Sequence, residues 1–308
     1  MPNDTNPDAR APSAPSHSRT RPVDAVFSRP QLHWVGDGFR VAGYMNVVPN
    51  AARRLSPVLL LDYHPPYFYE AITRARGVGV HPHRGFETVT IAWEGRVAHH
   101  DSTGAGGIIG PGDVQWMRAA SGILHKEFHE AAWAKEGGTM HMAQLWVNLP
   151  RSEKMGPPSY QPLSAGDMGL VTLADDAGVV RIIAGEFAGV RGPARTATRV
   201  NLFDAQLRAG GRVTFTIPPK DNIAALVMRG AVLVNGVARA GLDTLVLFEN
   251  AGDTIVIEAA EDSHVLLMGG EPIDEPIFQH GPFVMTTREE IVQAYEDFHS
   301  GKFGFLAN

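Results

Sequence analysis

The chain has 308 residues, a formal charge of −6 and no cysteine. No disulfide framework, thiolate-held metal or thiol nucleophile is therefore possible, and any metal must be held by His, carboxylate or backbone oxygen. The acidic balance argues against a general nucleic-acid binder, no apolar run approaches the ~18–20 residues of a membrane helix, and the first residues lack the apolar core of a signal peptide, so the cytoplasm is the expected compartment.

Hydrophobic residues at 44% and charged residues at 19% describe a globular chain able to bury a sizeable core. The Gly and Pro counts, 33 and 22, suit many short strands joined by tight turns. In chain order, residues 1–24 carry few bulky apolar side chains and predict a disordered tail. Strand patterns begin at Phe39 and recur at 58–62, at 87–93 before the Glu94-Gly95 turn, at 114–117 after a Gly-Pro-Gly-Asp turn, and at 141–148. Residues 129–138 read as loop or a short helical turn. The segment 151–165 is Pro-rich and polar and predicts a linker. Strands return at 179–184, 200–205, 212–217, 224–228, 231–234, 242–248, 254–258 and 264–268, with Asn235-Gly236 as a two-residue hairpin signal. One helix closes the chain: Thr287-Arg288-Glu289-Glu290 is a capping-box pattern, and Ile291, Ala294, Tyr295 and Phe298 fall on one face. Strands every ~8–12 residues on both sides of the linker predict an all-β architecture, a sandwich or barrel twice over.

Seven of the 13 histidines lie between positions 81 and 141. Side chains two apart in a strand share a face. His81, His83 and Glu87 therefore share one if the strand is regular, with Pro82 confining the segment to a sheet edge. His125, Glu127 and His129 share another. Two such segments facing each other across a barrel would supply three or four nitrogen and oxygen ligands to one ion, a set that suits Fe, Mn, Ni, Cu or Zn rather than Ca or Mg. Glu87 reads either as a ligand or as a carboxylate holding an imidazole N–H, and His129 as a rim or surface residue. His99, His100, His141, His264, His280 and His299 are read singly as packed or surface side chains. Trp93, Trp116, Trp133 and Trp146 are read as core or pocket wall. The Gly-rich segment 104–107 precedes no helix and is no phosphate loop.

Several longer motifs resemble the pirin family of the cupin superfamily. They are His81-Pro82-His83-Arg84-Gly85-Phe86-Glu87, Pro111-Gly112-Asp113-Val114-Gln115-Trp116, Gly122-Ile123-Leu124-His125-Lys126-Glu127, Ser152-Glu153-Lys154-Met155 and Gln279-His280-Gly281-Pro282-Phe283. The resemblance runs from about residue 30 to the C-terminus. It implies a bicupin, two small antiparallel jelly-roll β-barrels with a short C-terminal helix. The expected division is a tail at 1–24, a metal-binding barrel at 25–152, a linker at 153–165 and a second barrel at 166–308. It further implies one divalent metal ion, Fe(II) before Mn, Ni, Cu or Zn, held by His81, His83, His125 and Glu127, with Glu87 moved to holding an imidazole. Pirin-like proteins of bacteria are similar to quercetin 2,3-dioxygenases. The implied substrates are a flavonol-like aromatic molecule and O₂, with Glu127 as the catalytic residue that tunes the ion and accepts the hydroxyl proton. The alternative it implies is a non-catalytic, redox-responsive regulator acting through a protein partner; a structural-metal cupin without turnover is a third reading. A monomer is expected, and the second barrel, whose counterpart strands offer only His264, is expected to bind no metal.

Overall fold

The computed structural model describes residues 19–74 and 76–307. In chain order the first strands are β1 (Val23–Phe27), β2 (Leu32–Val35), β3 (Phe39–Gly43), β4 (Val58–Tyr69), β5 (Gly77–His83), β6 (Phe86–Glu94), β7 (Val97–Asp101), β8 (Gly106–Ile109), β9 (Val114–Arg118), β10 (Ile123–His129), β11 (Gly138–Asn148) and β12 (Ser159–Leu163). All but β1 build the first barrel. A seven-stranded sheet in the order β12-β9-β6-β11-β4-β3-β2 faces a four-stranded sheet in the order β5-β10-β7-β8. The second barrel repeats the scheme, with a seven-stranded sheet centred on Asn222–Arg229 and Ser263–Gly270 and a four-stranded sheet that includes Arg212–Thr216 and Thr254–Ala259. The ladders are antiparallel, and the fold is the all-β bicupin the sequence predicts.

The apolar runs explain the arrangement. In Asn222–Arg229 every residue but the last is buried. Ala224, Leu226 and Met228 face one core, and Ile223, Ala225 and Val227 face another. A strand that alternates between two apolar environments must be buried on both faces. The first of these cores joins the two seven-stranded sheets: Leu61, Tyr63, Val89, Ile91 and Leu145 of the first barrel pack with Leu202, Leu226, Leu245 and Leu266 of the second. At the edge of this contact Asp204 is a polar junction. It accepts from Trp93 Nε1 at 2.9 Å and from Arg181 Nη2 at 2.6 Å, and it pairs with His264. Burial alone would raise its carboxyl, but His264, Arg181 and Trp93 outweigh burial and hold it below the usual carboxylate range.

Two expected boundaries shift. The tail predicted over 1–24 lies outside the described residues as far as 18, but its last residues are built into the second barrel. Arg21 is fully buried and donates to the carbonyls of Asp221, Pro218 and Pro219 at 2.8–2.9 Å. β1 then pairs with Thr244–Phe248, so residues 25–27, expected in the first barrel, extend the second. The reason is a free sheet edge supplied with acceptors for a guanidinium, which composition does not reveal. The linker predicted over 153–165 is also structured. Arg151–Lys154 forms one helical turn, and β12 pairs with β9 at the edge of the first barrel. Its Pro162 is tolerated there because one side of an edge strand needs no donor.

The remaining elements follow the sequence. The segment 129–138 contains the short helix Ala131–Glu136. Asn235 and Gly236 both take positive φ, in a loop of three residues rather than two because Val234 pairs with Ala238. The C-terminal helix Arg288–His299 has the predicted capping box at Thr287 and Glu290, and its Ile291 and Ala294 pack with Leu124 and Phe283. The hairpin before it, Phe278–His280 with Phe283–Met285, lies back on the first barrel through a bridge between Phe283 and Arg84.

Replacing Arg21 by Ala removes the donor to the buried Asp221 carbonyl and to the carbonyls of Pro218 and Pro219, and loosens the segment that leads into β1. A loss of about 3 kcal/mol is expected, since each hydrogen bond to a charged group contributes roughly 1.5–3 kcal/mol. Urea unfolding of the purified variant measures it; a change under 1 kcal/mol would show that β1 adds little to the second barrel.

Candidate metal centre

β5 and β10 run side by side, and their register places His81 directly opposite His125. Directly opposed residues bring their Cβ atoms to about 4.5–5.5 Å. His83 lies two residues along β5 and Glu127 two residues along β10, so all four side chains occupy the inner face of the four-stranded sheet. The ladder slips between His125 and Glu127, which adds one residue to β5 near Gly79 and Val80.

The three imidazoles converge. Their ring centroids are 4.2 Å apart for His81 and His125, 4.7 Å for His83 and His125, and 4.9 Å for His81 and His83. One ligand atom from each lies within 4.8 Å of the others. His81 Nδ1 donates to the carbonyl of Gly79 at 2.8 Å and His83 Nδ1 to that of Pro282 at 3.4 Å, which leaves Nε2 of each as the free lone pair. His125 is fully buried, and neither of its ring nitrogens has a hydrogen-bond partner among the described residues. Burial, reinforced by the neighbouring imidazoles, pushes His83 and His125 well below the usual imidazole range and keeps them neutral, the form a metal requires.

Glu127 stands beside this trio without belonging to the convergent set. Its carboxylate accepts from Gln144 Nε2 at 2.9 Å and 3.2 Å and from Thr90 Oγ1 at 3.4 Å. Burial raises its carboxyl; the Gln144 hydrogen bonds and nearby His81 oppose that only in part. Two buried neutral imidazoles, the half-buried His81 and a buried carboxyl form a donor set that a divalent cation would complete, and the nitrogens of His125, unpartnered among the described residues, fit that use.

The loop after His83 is held by the C-terminal half. Gly85 has φ 89°, and a Cβ there would lie 1.9 Å from the carbonyl oxygen of Val284, so only glycine fits. Arg84 forms a buried ion pair with Asp297 of the C-terminal helix at 2.9 Å. Lys154 is also buried and donates to Asn148 Oδ1, the Gly85 carbonyl and the Val284 carbonyl at 2.6, 2.7 and 3.1 Å.

This break in the strand corrects the reading of Glu87. β5 ends at His83 and β6 begins at Phe86, so parity does not carry across. Glu87 accepts from Trp116 Nε1 at 3.0 Å and holds no imidazole among the described residues. Its strand neighbours on the same face, Val89 and Ile91, belong to the core between the barrels. His129 is likewise not at a rim. It is buried, donates from Nε2 to the Gly38 carbonyl at 2.8 Å and packs edge-on against Tyr69, Phe39 and Trp133.

His81, His83 and Glu127 line a cavity of about 340 Å³, in the lower part of the range of roughly 300–1,000 Å³ usual for small-molecule sites. Val41, Leu60, Met142 and Trp146 form apolar walls, and Gly281 and Pro282 border it. Sequence reasoning missed Thr90, Gln144 and Asp62. Gln144 and Asp62 are polar positions within otherwise apolar strands, and that is the signal each carries.

Comparison with known proteins identifies the family. The Pirin family model matches residues 38–147, and the model of the pirin C-terminal cupin domain matches residues 202–304. The chain belongs to the pirin family. A Pseudomonas aeruginosa protein with the provisional name quercetin 2,3-dioxygenase is 48% identical over 282 residues, 91% of this chain and 98% of that protein. A pirin-like protein of Caulobacter vibrioides is 42% identical, covering 82% of this chain and 89% of its own. The crystal structure of a quercetin 2,3-dioxygenase from Acinetobacter baumannii superposes with a TM-score of 0.89 at 42% identity, over 94% of this chain and all of that one. Among the described residues of this pirin, no helix is long and apolar enough to cross a membrane.

Glu87 gives a test separate from metal binding. Burial raises its carboxyl to about 7 against an ordinary 4.5. The folded protein thus keeps a proton that the unfolded chain releases, and stability falls as pH rises from 4.5 to 7. Glu87→Gln removes this penalty while keeping an acceptor for Trp116. A gain on the order of 3 kcal/mol at most is expected above pH 7 and none at pH 4, with unchanged metal content. Thermal unfolding at both pH values decides it; loss of metal from the variant would return Glu87 to the site.

Proposed function

We propose that this pirin is a flavonol-opening dioxygenase, cleaving a substrate such as quercetin with O₂ and releasing carbon monoxide. The observation that carries the reading is the convergence of His81, His83 and His125, two of which, His81 and His83, line an apolar-walled cavity of suitable size. Identity of 42–48% to proteins named for this reaction supports it. His81, His83, His125 and Glu127 would hold one divalent ion. Fe(II) is the proposed species, and the donor set accepts Mn, Ni, Cu or Zn as well. Such an ion would act as a Lewis acid toward the substrate hydroxyl and lower its pKa.

The residues of the chain supply the rest. His81 and His83 are oriented by carbonyl groups, so their Nε2 atoms are fixed before any ion arrives. Gln144 and Thr90 hold the Glu127 carboxylate in place. Val41, Leu60, Met142 and Trp146 exclude water from a planar aromatic ligand. The working compartment is proposed to be the cytoplasm.

The test joins metal content to turnover. Wild-type protein loaded with Fe(II) should bleach the flavonol absorption band in the presence of O₂ and release carbon monoxide. The double variant His81→Ala, His125→Ala should retain no stoichiometric metal and fall to the rate of free iron. Stoichiometric iron in the double variant would refute the ligand set. Wild-type activity no greater than free iron would refute the enzyme and favour the regulatory reading.

A further inference from the structure

The cavity contains two carboxylates, and they differ. Glu127 is engaged by Gln144 and Thr90 and belongs to the proposed ligand set. A carboxylate committed to an ion is a poor proton acceptor. Asp62 lines the same cavity, accepts no hydrogen bond and joins no ion pair among the described residues. It lies on β4 directly opposite Gln144 of β11, on the face that carries Leu60 toward the cavity. On its other side β4 pairs Asp62 with Gly43. A Cβ at Gly43 would sit 3.2 Å from Asp62 Oδ1, so glycine leaves the carboxylate its space.

We infer that Asp62 is the base that takes the hydroxyl proton of the substrate in this cavity, an inference that rests on the flavonol reading above. The 3-hydroxyl O–H bond breaks, an Oδ–H bond forms on Asp62, and the electron pair remains on the substrate as an oxyanion. After ring opening by O₂, the proton returns to the carboxylate newly formed in the product, and Asp62 is regenerated. Burial raises the Asp62 carboxyl to about 6, with His33 nearby opposing the rise. That places it near neutrality, where a general base is most effective. Trp146 Nε1, buried and without a hydrogen-bond partner among the described residues, is a donor in the same lining to orient a substrate oxygen.

The experiment uses full-length, metal-loaded protein with quercetin as the probe, first without O₂ and then with it. Anaerobically, bound quercetin should show the red-shifted band of its oxyanion. In Asp62→Asn, metal content should be unchanged and quercetin affinity within about threefold, but the bound ligand should keep the neutral band. Turnover should fall by about 100-fold or more, the usual contribution of general-base catalysis. Asp62→Glu, which keeps a carboxylate, should recover part of both signals. Three results separate the claims. Oxyanion formation and turnover in Asp62→Asn like those of wild type overturn the role of Asp62 alone. Wild-type protein that binds and ionises quercetin but never opens it overturns the dioxygenase reading alone. Wild-type protein that binds no quercetin overturns both.

Discussion

A buried imidazole with no partner for either ring nitrogen is unfavourable to build, and His125 is one. Leaving a buried polar group unpaired costs about 1–3 kcal/mol, and here it stands among two further imidazoles and a carboxyl. Such a cluster persists only if the surrounding fold over-determines it. Each barrel contributes to that. The seven-stranded sheets pack back to back and support the first barrel from behind. Asp297 of the C-terminal helix holds Arg84, while Lys154 is bonded to the carbonyl groups of Gly85 and Val284, fixing the turn that follows His83. The proposed chemistry depends on this prior expense: donors already held close together need little rearrangement when a cation or substrate arrives.

The sequence carried the architecture because antiparallel strands with turns every few residues leave a local record. It also carried the histidines, since His-x-His in a strand needs only period-two geometry. What it hid were relations between distant segments. Glu87 was misplaced because Arg84 and Gly85 end one strand and start another, and the reason for that break, the backbone of Val284, is far along the chain. The linker near 159–163 was misread because edge pairing with β9 gives proline a place in a strand. Asp62 followed an apolar run and looked like its polar end; only the pairing with Gln144 shows that it faces the cavity. The choice of Glu127 over Glu87 came from the family resemblance rather than from spacing; Glu127 lies on the strand of His125, while the convergent group among the described residues is the three histidines alone.

The second barrel is more than a duplicate. Phe203, Phe215 and Leu267 belong to a large apolar cluster inside it. It supports the first barrel along the shared sheet contact and through Asp204, which gathers Trp93 of one barrel with Arg181 and His264 of the other. His264, isolated in the sequence, is therefore spent on the junction.

The exchange of terminal segments sets the order in which the molecule can be completed during synthesis. β1 is made first, but its partner at Thr244–Phe248 follows roughly 220 residues later, a delay of roughly 10–45 s at ~5–20 residues per second. The strands of the histidine barrel are all present once β12 has emerged. The hairpin that supplies Gly281 and Pro282 is made after every strand of that barrel. Until then the cavity is open on the side those residues later cover, and the histidines can be reached from the growing chain's surroundings.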